Sequence, residues 1–229
     1  MCKQMFNRPD MKTKPLLLIS FFLLLAACRS GDRQAGTQEQ ADSVDTAAPN
    51  ISDDLRSLPQ WTGFLQKTTG GRFDVRKFDF LGSDVHQPPA TDSFSAEEWN
   101  TYRPYLKYNP AGTLAIDLYS YNMIPVKRKN GTVTLEGGEP DAEVALVAVK
   151  TGRRQRLLFS GPGTLYQDAR WLNDSVAVIT GISDANESNQ PLPVVWRYHV
   201  NGQRMETFGY ADSLSLGEAP HYTDSLLQR

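Results

Sequence analysis

Apolar and polar side chains alternate along most of residues 58–216, and a period of two is typical of β-strands that bury one face. The alternating segments are rich in Val, Ile, Leu, Phe and Tyr, which favour strands. The predicted strands are Arg72–Phe80, Leu114–Tyr119, Thr132–Glu136, Glu143–Lys150, Arg156–Ser160, Val176–Gly181, Val194–Val200 and Met205–Tyr210. Residues 58–216 are therefore predicted to form one all-β domain of antiparallel strands.

One segment of this domain has the signature of a helix. Ser95 can cap a helical first turn that contains Glu97 and Glu98, and acidic side chains are favourable there. A short helix is predicted over Ser95–Tyr102.

The predicted domain contains no cysteine, because Cys2 and Cys28 both precede it. Neither an internal disulfide nor a cysteine-based zinc site is available. The domain must therefore be stabilised by its hydrophobic core.

Residues 11–28 follow the order of an export signal. Two lysines precede the apolar run Leu16–Leu25, which is shorter than the roughly 20 residues that span a bilayer, and small residues follow it. The end of this segment, Leu25–Cys28, resembles the lipobox of bacterial lipoproteins. The resemblance implies a signal peptide over residues 1–27, cleavage between Ala27 and Cys28, and fatty acids such as palmitate on Cys28 as a membrane anchor. Whether translation starts at Met1 or at Met11 stays open.

The residue after the lipidated cysteine bears on which membrane holds the protein. In Gram-negative lipoproteins an aspartate at that position retains the protein in the inner membrane, and Arg29 stands there instead. The segment Arg29–Asp32 also lacks the acidic cluster of Bacteroidota surface lipoproteins. By resemblance, we expect an outer-membrane lipoprotein that faces the periplasm.

The chain on both sides of the predicted domain is polar. Residues 28–57 have almost no large apolar side chains, so they are predicted to form a flexible tether that reaches roughly 30 Å. Residues 217–229 are predicted to be a frayed polar tail. Within the tether, Ser43 and Thr46 lie in Asp-Ser/Thr-aliphatic triplets that resemble the O-glycosylation site of Bacteroidota, which implies modification of both.

The domain contains an internal repeat. Residues 105–117 correspond to residues 166–179, and residues 149–159 correspond to residues 199–208, so each unit is predicted to be four antiparallel strands. Such a unit resembles one blade of a WD40-like or TolB-like β-propeller, although no Trp-Asp dipeptide closes either unit. The resemblance implies a small or incomplete propeller, while a β-sandwich of two meanders and completion by a second chain stay open.

The charge of the mature chain excludes one class of partner. Four basic residues and one acidic residue precede Cys28, which leaves 20 basic and 25 acidic residues and a net charge of −5. No electrostatic field then draws polyanions to the surface, so nucleic acid is excluded as a partner.

The sequence contains no recognisable catalytic constellation. The histidines are His86, His199 and His221, and no Gly-x-Ser-x-Gly elbow is present, which argues against a Ser-His-Asp triad. No cofactor is predicted.

Two polar loops contain weak candidates for metal ligands. Glu139 and Asp141 lie in one loop, and Asp184 and Asn186 lie in the other. Hard cations need several oxygens that converge from a loop, and neither segment has the glycine and closing glutamate of an EF-hand. Solvated turns without a metal are the favoured interpretation.

Three arginines, Arg153, Arg154 and Arg156, flank a predicted hairpin. They could hold a phosphate or a carboxylate. Protection of a sheet edge by charge is the favoured interpretation.

These observations predict a lipid-anchored, non-catalytic module whose loops or sheet edges bind another component of the envelope, a protein or a glycan. An alternative is a periplasmic or surface enzyme that acts on carbohydrate or peptide, with its site near residues 139–143 and 184–189. A small-ligand sensor is a further alternative. The ligand and the oligomeric state stay open.

Overall fold

Antiparallel strands are the main secondary structure in the computed structural model, which describes residues 49–85, 92–138, 140–186 and 190–216 together with Tyr222 and Leu227. All of these residues belong to the unit Thr46–Arg229. The prediction of an all-β fold is confirmed, since strands far outnumber helices among the described residues.

The elements follow one another along the chain with helices at the start and strands thereafter. In order they are α1 (Ser52–Leu55), α2 (Pro59–Thr68), β1 (Phe78–Val85), β2 (Asp92–Ser93), α3 (Ala96–Tyr102), a 3-10 turn (Arg103–Tyr105), β3 (Lys107–Tyr108), β4 (Leu114–Asp117), β5 (Met123–Lys127), β6 (Val133–Gly137), β7 (Ala142–Ala148), β8 (Arg153–Ser160), β9 (Thr164–Trp171), β10 (Val176–Ser183), β11 (Leu192–His199) and β12 (Arg204–Tyr210).

The strands form two five-stranded antiparallel sheets and a separate two-stranded hairpin. The first sheet has the order β1-β12-β11-β10-β9, the second has the order β2-β8-β7-β4-β3, and β5 pairs with β6. Strands β9 to β12 are a meander, and β3, β4, β7 and β8 are a second meander interrupted by the hairpin. The sequence repeat thus corresponds to two four-stranded meanders, each extended by one earlier strand. A propeller arrangement of the two meanders stays a prediction.

An apolar core joins the two sheets. Val144 of the second sheet belongs to the same buried cluster as Ile179 and Trp196 of the first. The opposite face of the first sheet is covered by α1 and α2, where Leu55 packs in one cluster with Val178. Because both faces are covered, β10 is buried along almost its whole length.

The predicted helix over Ser95–Tyr102 is confirmed as α3. The Ser95 hydroxyl accepts a hydrogen bond from the backbone N–H of Glu98 at 3.2 Å, and the Glu98 carboxylate accepts one from the backbone N–H of Ser95 at 2.7 Å. This reciprocal pair is a capping box. The hydrogen bond from the Ser95 backbone lowers the pKa of Glu98. Trp99 of this helix packs beside Val147 on the outer face of the second sheet.

The folded body begins before the predicted boundary at Leu58. Ile51 is 1% exposed and Leu55 is fully buried against the first sheet, so the assignment of residues 28–57 to a tether is wrong from Ile51 onward. Large apolar residues recur at positions 51, 55, 58, 61 and 65, a spacing of three or four that is typical of a helix with one buried face. Most of the other residues before Leu58 are polar, so this helical spacing is difficult to recognise in the sequence.

Three strand assignments are also corrected. The predicted strand Arg72–Phe80 is wrong over residues 72–77, because β1 begins at Phe78. Strand β5 was missing from the predicted set because it contains a proline, which is unusual inside a sheet. Strand β9 was missing because the polar pair Gln167 and Asp168 interrupts its apolar alternation.

The end of the chain contacts the body at the two tail residues that the structure describes. Leu216 is buried with the helices, which agrees with the predicted boundary of the domain. Beyond it, the Tyr222 ring lies 5.4 Å from that of Phe64, and Leu227 packs against the core between the sheets. The prediction of a frayed tail over residues 217–229 is therefore wrong at Tyr222 and Leu227.

None of the helices in the described part of the chain is long and apolar enough to span a membrane. The predicted export signal, residues 1–27, lies outside those residues.

The burial of α1 can be tested with Leu55→Ala in the mature chain. We expect this substitution to lower the free energy of unfolding by about 2–5 kcal/mol, because it leaves a cavity under a helix that is packed on the first sheet. The measurement is chemical denaturation followed by circular dichroism. Leu81→Ala is the matched control, because Leu81 is 65% exposed and its truncation is expected to change the free energy by no more than about 0.5 kcal/mol. Equal effects of the two substitutions would contradict the packing of α1.

Candidate binding cleft

A cleft of about 620 Å³ lies where one edge of each sheet meets the start of α2. Its walls are residues 168–171 of β9, residues 106–108 and Pro110 around β3, and residues 57–60 at the start of α2. We call it the edge cleft. Strands β9 and β3 are the terminal strands of their sheets in the described part of the chain, so one edge strand of each sheet borders the same space.

The hydrogen-bond pattern of β9 determines which backbone groups face its free edge. The N–H of Leu172 donates to the Val176 carbonyl at 2.9 Å, so Asp168 and Arg170 also turn their backbone groups towards β10. Ala169 and Trp171 alternate with Asp168 and Arg170 along the strand, so their backbone N–H and C=O groups point away from β10. The N–H of Ala169 donates to the Asp168 carboxylate at 2.8 Å. The N–H and C=O of Trp171 and the C=O of Ala169 therefore point away from β10, although both residues are buried.

A bulge fixes β9 against α2. Gln167 is the extra residue of this bulge, because the register shifts between Thr180 and Gly181 of the neighbouring strand. The Gln167 side-chain oxygen accepts a hydrogen bond from the indole N–H of Trp61 at 2.8 Å. Since Trp61 is fully buried in α2, this bond holds the start of the helix at the edge of the sheet.

An ion pair joins the two sheet edges inside the cleft. Lys107 Nζ lies 2.9 Å from Asp168 Oδ1, and the Asp168 side chain is only 8% exposed. The hydroxyl of Tyr222 donates to the other carboxylate oxygen of Asp168 at 2.6 Å. A second bond crosses between the sheets, because the indole N–H of Trp171 donates to the Lys107 carbonyl at 2.8 Å. Both carboxylate oxygens of Asp168 therefore accept hydrogen bonds from groups of this chain.

Arg170 is the uncompensated charge of the edge cleft. It is exposed at the rim, and no ion pair is found for it among the described residues, whereas Lys107 is neutralised by Asp168. Tyr108 lies on the opposite wall and is held by a hydrogen bond from its hydroxyl to the Arg103 carbonyl at 2.9 Å. Burial raises the pKa of Tyr108 above its ordinary value. The cleft thus carries a net positive charge on a chain whose net charge is negative.

Several residues predicted as sites lie outside the described residues. These are the lipid-attachment residue Cys28, the cleavage site at Ala27, the glycosylation candidates Ser43 and Thr46, and the metal candidate Glu139.

The remaining weak metal candidates border one loop between β8 and β9. A carboxylate oxygen of Asp141 lies beside Gly161, and the Asp184 carboxylate lies against Gly163. The Asn186 amide nitrogen donates to the carbonyls of Ser183 and Gln190, which closes its own loop. In the part of the chain that the structure describes, no group of three or more His, Cys, Asp or Glu side chains could hold a metal ion.

Arg154 and Arg156 form ion pairs within the second sheet. Arg154 lies 3.0 Å from Asp92, 3.2 Å from Asp117 and 3.1 Å from Glu143, and Arg156 lies 2.5 Å from Glu143. Their charges are neutralised on the face of the sheet that α3 covers. They serve the packing of this sheet and its added strand β2 instead of holding an anionic ligand.

The residues of the edge cleft were not among the sequence candidates, although the repeat contains a signal for them. The correspondence of Tyr105 with Tyr166 places Lys107 and Asp168 at equivalent positions of the two units. Opposite charges at equivalent positions of neighbouring units would indicate an ion pair between them. The uncompensated Arg170 has no such signal, because its lack of a partner depends on the tertiary structure.

No family model, no curated protein and no solved structure matches this chain.

The ion pair across the cleft can be tested with Asp168→Asn. We expect a loss of about 2–4 kcal/mol in the free energy of unfolding, because Lys107 would lose a mostly buried counter-charge while the shape of the site is kept. Asp79→Asn is the control, since Asp79 is exposed on β1 and no ion pair is found for it among the described residues. Chemical denaturation measures both. If Asp168→Asn lowered the free energy of unfolding no more than Asp79→Asn, the ion pair would not hold the two sheets together.

Proposed function

We propose that this chain is a lipid-anchored protein of the bacterial envelope whose body is a non-catalytic binding module, and that the edge cleft is its binding site. The observation that supports the proposal best is that the terminal strands of both sheets and Arg170, for which no ion pair is found among the described residues, meet at one cleft.

The anchor and the location rest on the start of the sequence. The lipobox-like segment Leu25–Cys28 supports a lipid on Cys28, and Arg29 supports an outer-membrane protein that faces the periplasm. Such an anchor would keep the edge cleft close to a membrane surface and raise its effective concentration for partners in the same envelope.

The arrangement inside the cleft supports binding more than chemistry. Asp168 accepts hydrogen bonds from Lys107, Ala169 and Tyr222, so its oxygens are engaged by donors of this chain. A general acid or base must instead reach a proton of the substrate. Arg170 supplies a fixed charge that can recognise an anion without taking part in proton transfer.

Photo-crosslinking in the native envelope tests the proposal. A photoreactive phenylalanine derivative is placed at Tyr108 in the cleft or at Leu81 on β1, at the opposite edge of the first sheet. We expect a discrete adduct with an envelope component from position 108, much less from position 81, and loss of the adduct in Cys28→Ala. Adducts only from position 81, or none from a folded and anchored protein, would contradict the assignment of the cleft. An adduct that is unchanged in Cys28→Ala would contradict the role of the anchor.

A further inference from the structure

We infer that the turn between β11 and β12 is a site of spontaneous deamidation, at which Asn201 is converted to aspartate and isoaspartate. The chain has two Asn-Gly pairs, Asn130-Gly131 and Asn201-Gly202, and both lie in exposed turns between antiparallel strands. The hydrogen bonds of the two turns differ, and this difference assigns the reaction to the second turn. The reaction does not involve the edge cleft, so it goes beyond the proposed function.

The chemistry of an Asn-Gly pair needs only the two residues and water. The backbone nitrogen of Gly202 attacks the side-chain carbonyl carbon of Asn201, and the new C–N bond closes a succinimide ring. The bond from that carbon to the side-chain nitrogen breaks, and this nitrogen leaves as ammonia with the proton of the Gly202 N–H. Water then adds to either carbonyl carbon of the ring and opens it, which gives aspartate or isoaspartate without oxidation or reduction. Glycine favours the first step, because without a Cβ its backbone is free to move and is easily approached.

The turn at Asn201 leaves the reacting groups without restraint. Asn201, Gly202 and Gln203 are all exposed, and no hydrogen bond is found for the Asn201 side chain or the Gly202 N–H among the described residues. The backbone hydrogen bond that spans the turn, from the Gln203 N–H to the Val200 carbonyl, is long at 3.2 Å. Gln203 also has a φ of 49°, a left-handed conformation that is unfavourable for a residue with a Cβ. Asn201 and Gly202 can therefore rearrange while the strands on either side stay paired.

The turn at Asn130 restrains the same groups. The Gly131 N–H, which holds the attacking nitrogen, donates to the Arg128 carbonyl at 2.9 Å. The side-chain oxygen of Asn130 accepts hydrogen bonds from the backbone N–H of Thr132 at 3.1 Å and from its hydroxyl at 2.7 Å. The Arg128 N–H donates to the Thr132 carbonyl at 2.7 Å and closes the turn. Because these bonds must open before Gly131 can reach the side chain of Asn130, this pair is expected to react more slowly.

The test follows both asparagines in the folded, purified protein during incubation at mildly alkaline pH. Samples are digested at mildly acidic pH, which stops the reaction, and mass spectrometry measures the converted fraction of the peptides that contain Asn130 and Asn201. We expect Asn201 to react at least about ten-fold faster than Asn130, because hydrogen bonds protect only the latter pair. Chromatography separates the two products, and isoaspartate is expected among them, since direct hydrolysis of the side chain would give aspartate alone.

Two comparisons connect the difference in rate to the fold. In the urea-denatured protein the hydrogen bonds are lost, so we expect the two rates to agree within about three-fold. Thr132→Val removes the hydroxyl that donates to Asn130 and keeps the branched shape, so it is expected to accelerate the reaction at Asn130 by about two- to five-fold and to leave Asn201 unchanged. Thr151→Val removes an exposed hydroxyl in the turn after β7 and is the matched control, with no expected change at either site. Thermal unfolding of each variant verifies that the fold is kept.

Three results would overturn the assignment of Asn201. A rate at Asn130 equal to or above that at Asn201 in the folded protein would show that the hydrogen bonds of the two turns do not control the reaction. If Asn201 stayed intact in the folded protein while the denatured chain was converted, the turn would protect this residue. Aspartate without isoaspartate would exclude the succinimide.

Discussion

The packing of the two sheets against each other is the interaction on which the rest of this structure depends. The body has no cysteine, so no disulfide can join the sheets, and each four-stranded meander has an apolar face that it cannot bury alone. Ile179 and Trp196 of the first sheet share one core with Val144 and Leu157 of the second. Because the first sheet is apolar on its other face as well, the early helices are also required, and Leu55 and Leu65 belong to that second core.

This packing creates the edge cleft. When the two meanders stack, their first strands, β9 and β3, lie at neighbouring edges, and no other strand in the described part of the chain pairs with the outer side of either. Lys107 and Asp168 stand at equivalent positions of the repeat, and their charges meet across the junction of the two edges. The cleft thus lies where the first strand of one repeat unit comes close to the first strand of the other. Lys107 and Asp168 neutralise each other in the cleft, and no ion pair is found for Arg170 among the described residues.

The sequence predicts the parts of the fold that depend on local pattern. The alternation of apolar residues identifies strands such as β10 and β12, and Ser95 with Glu98 identifies the start of α3, because each signal lies within a few residues of chain. The early helices were missed because Ile51 and Leu55 are isolated in a polar segment, and only the first sheet makes their burial favourable. Strand β9 was missed for a related reason, because the polar pair Gln167 and Asp168 interrupts the alternation of apolar residues. Their partners, Trp61 and Lys107, lie 106 and 61 residues away, so no local pattern contains the information. Of the candidate site residues, Asp141, Asp184 and Asn186 were chosen for their chemistry, while the cleft is defined by strand order.

Amide hydrogen exchange at single-residue resolution on the isolated mature protein tests the free edge of β9 most directly. The amide of Ile179, in the centre of the first sheet, is expected to exchange only through global unfolding. The amide of Trp171 is expected to exchange faster by on the order of 100-fold or more, because it faces a cleft in place of another strand. Protection of Trp171 as strong as that of Ile179 would mean that this edge is already paired, and it would contradict the account of the cleft as an open binding site.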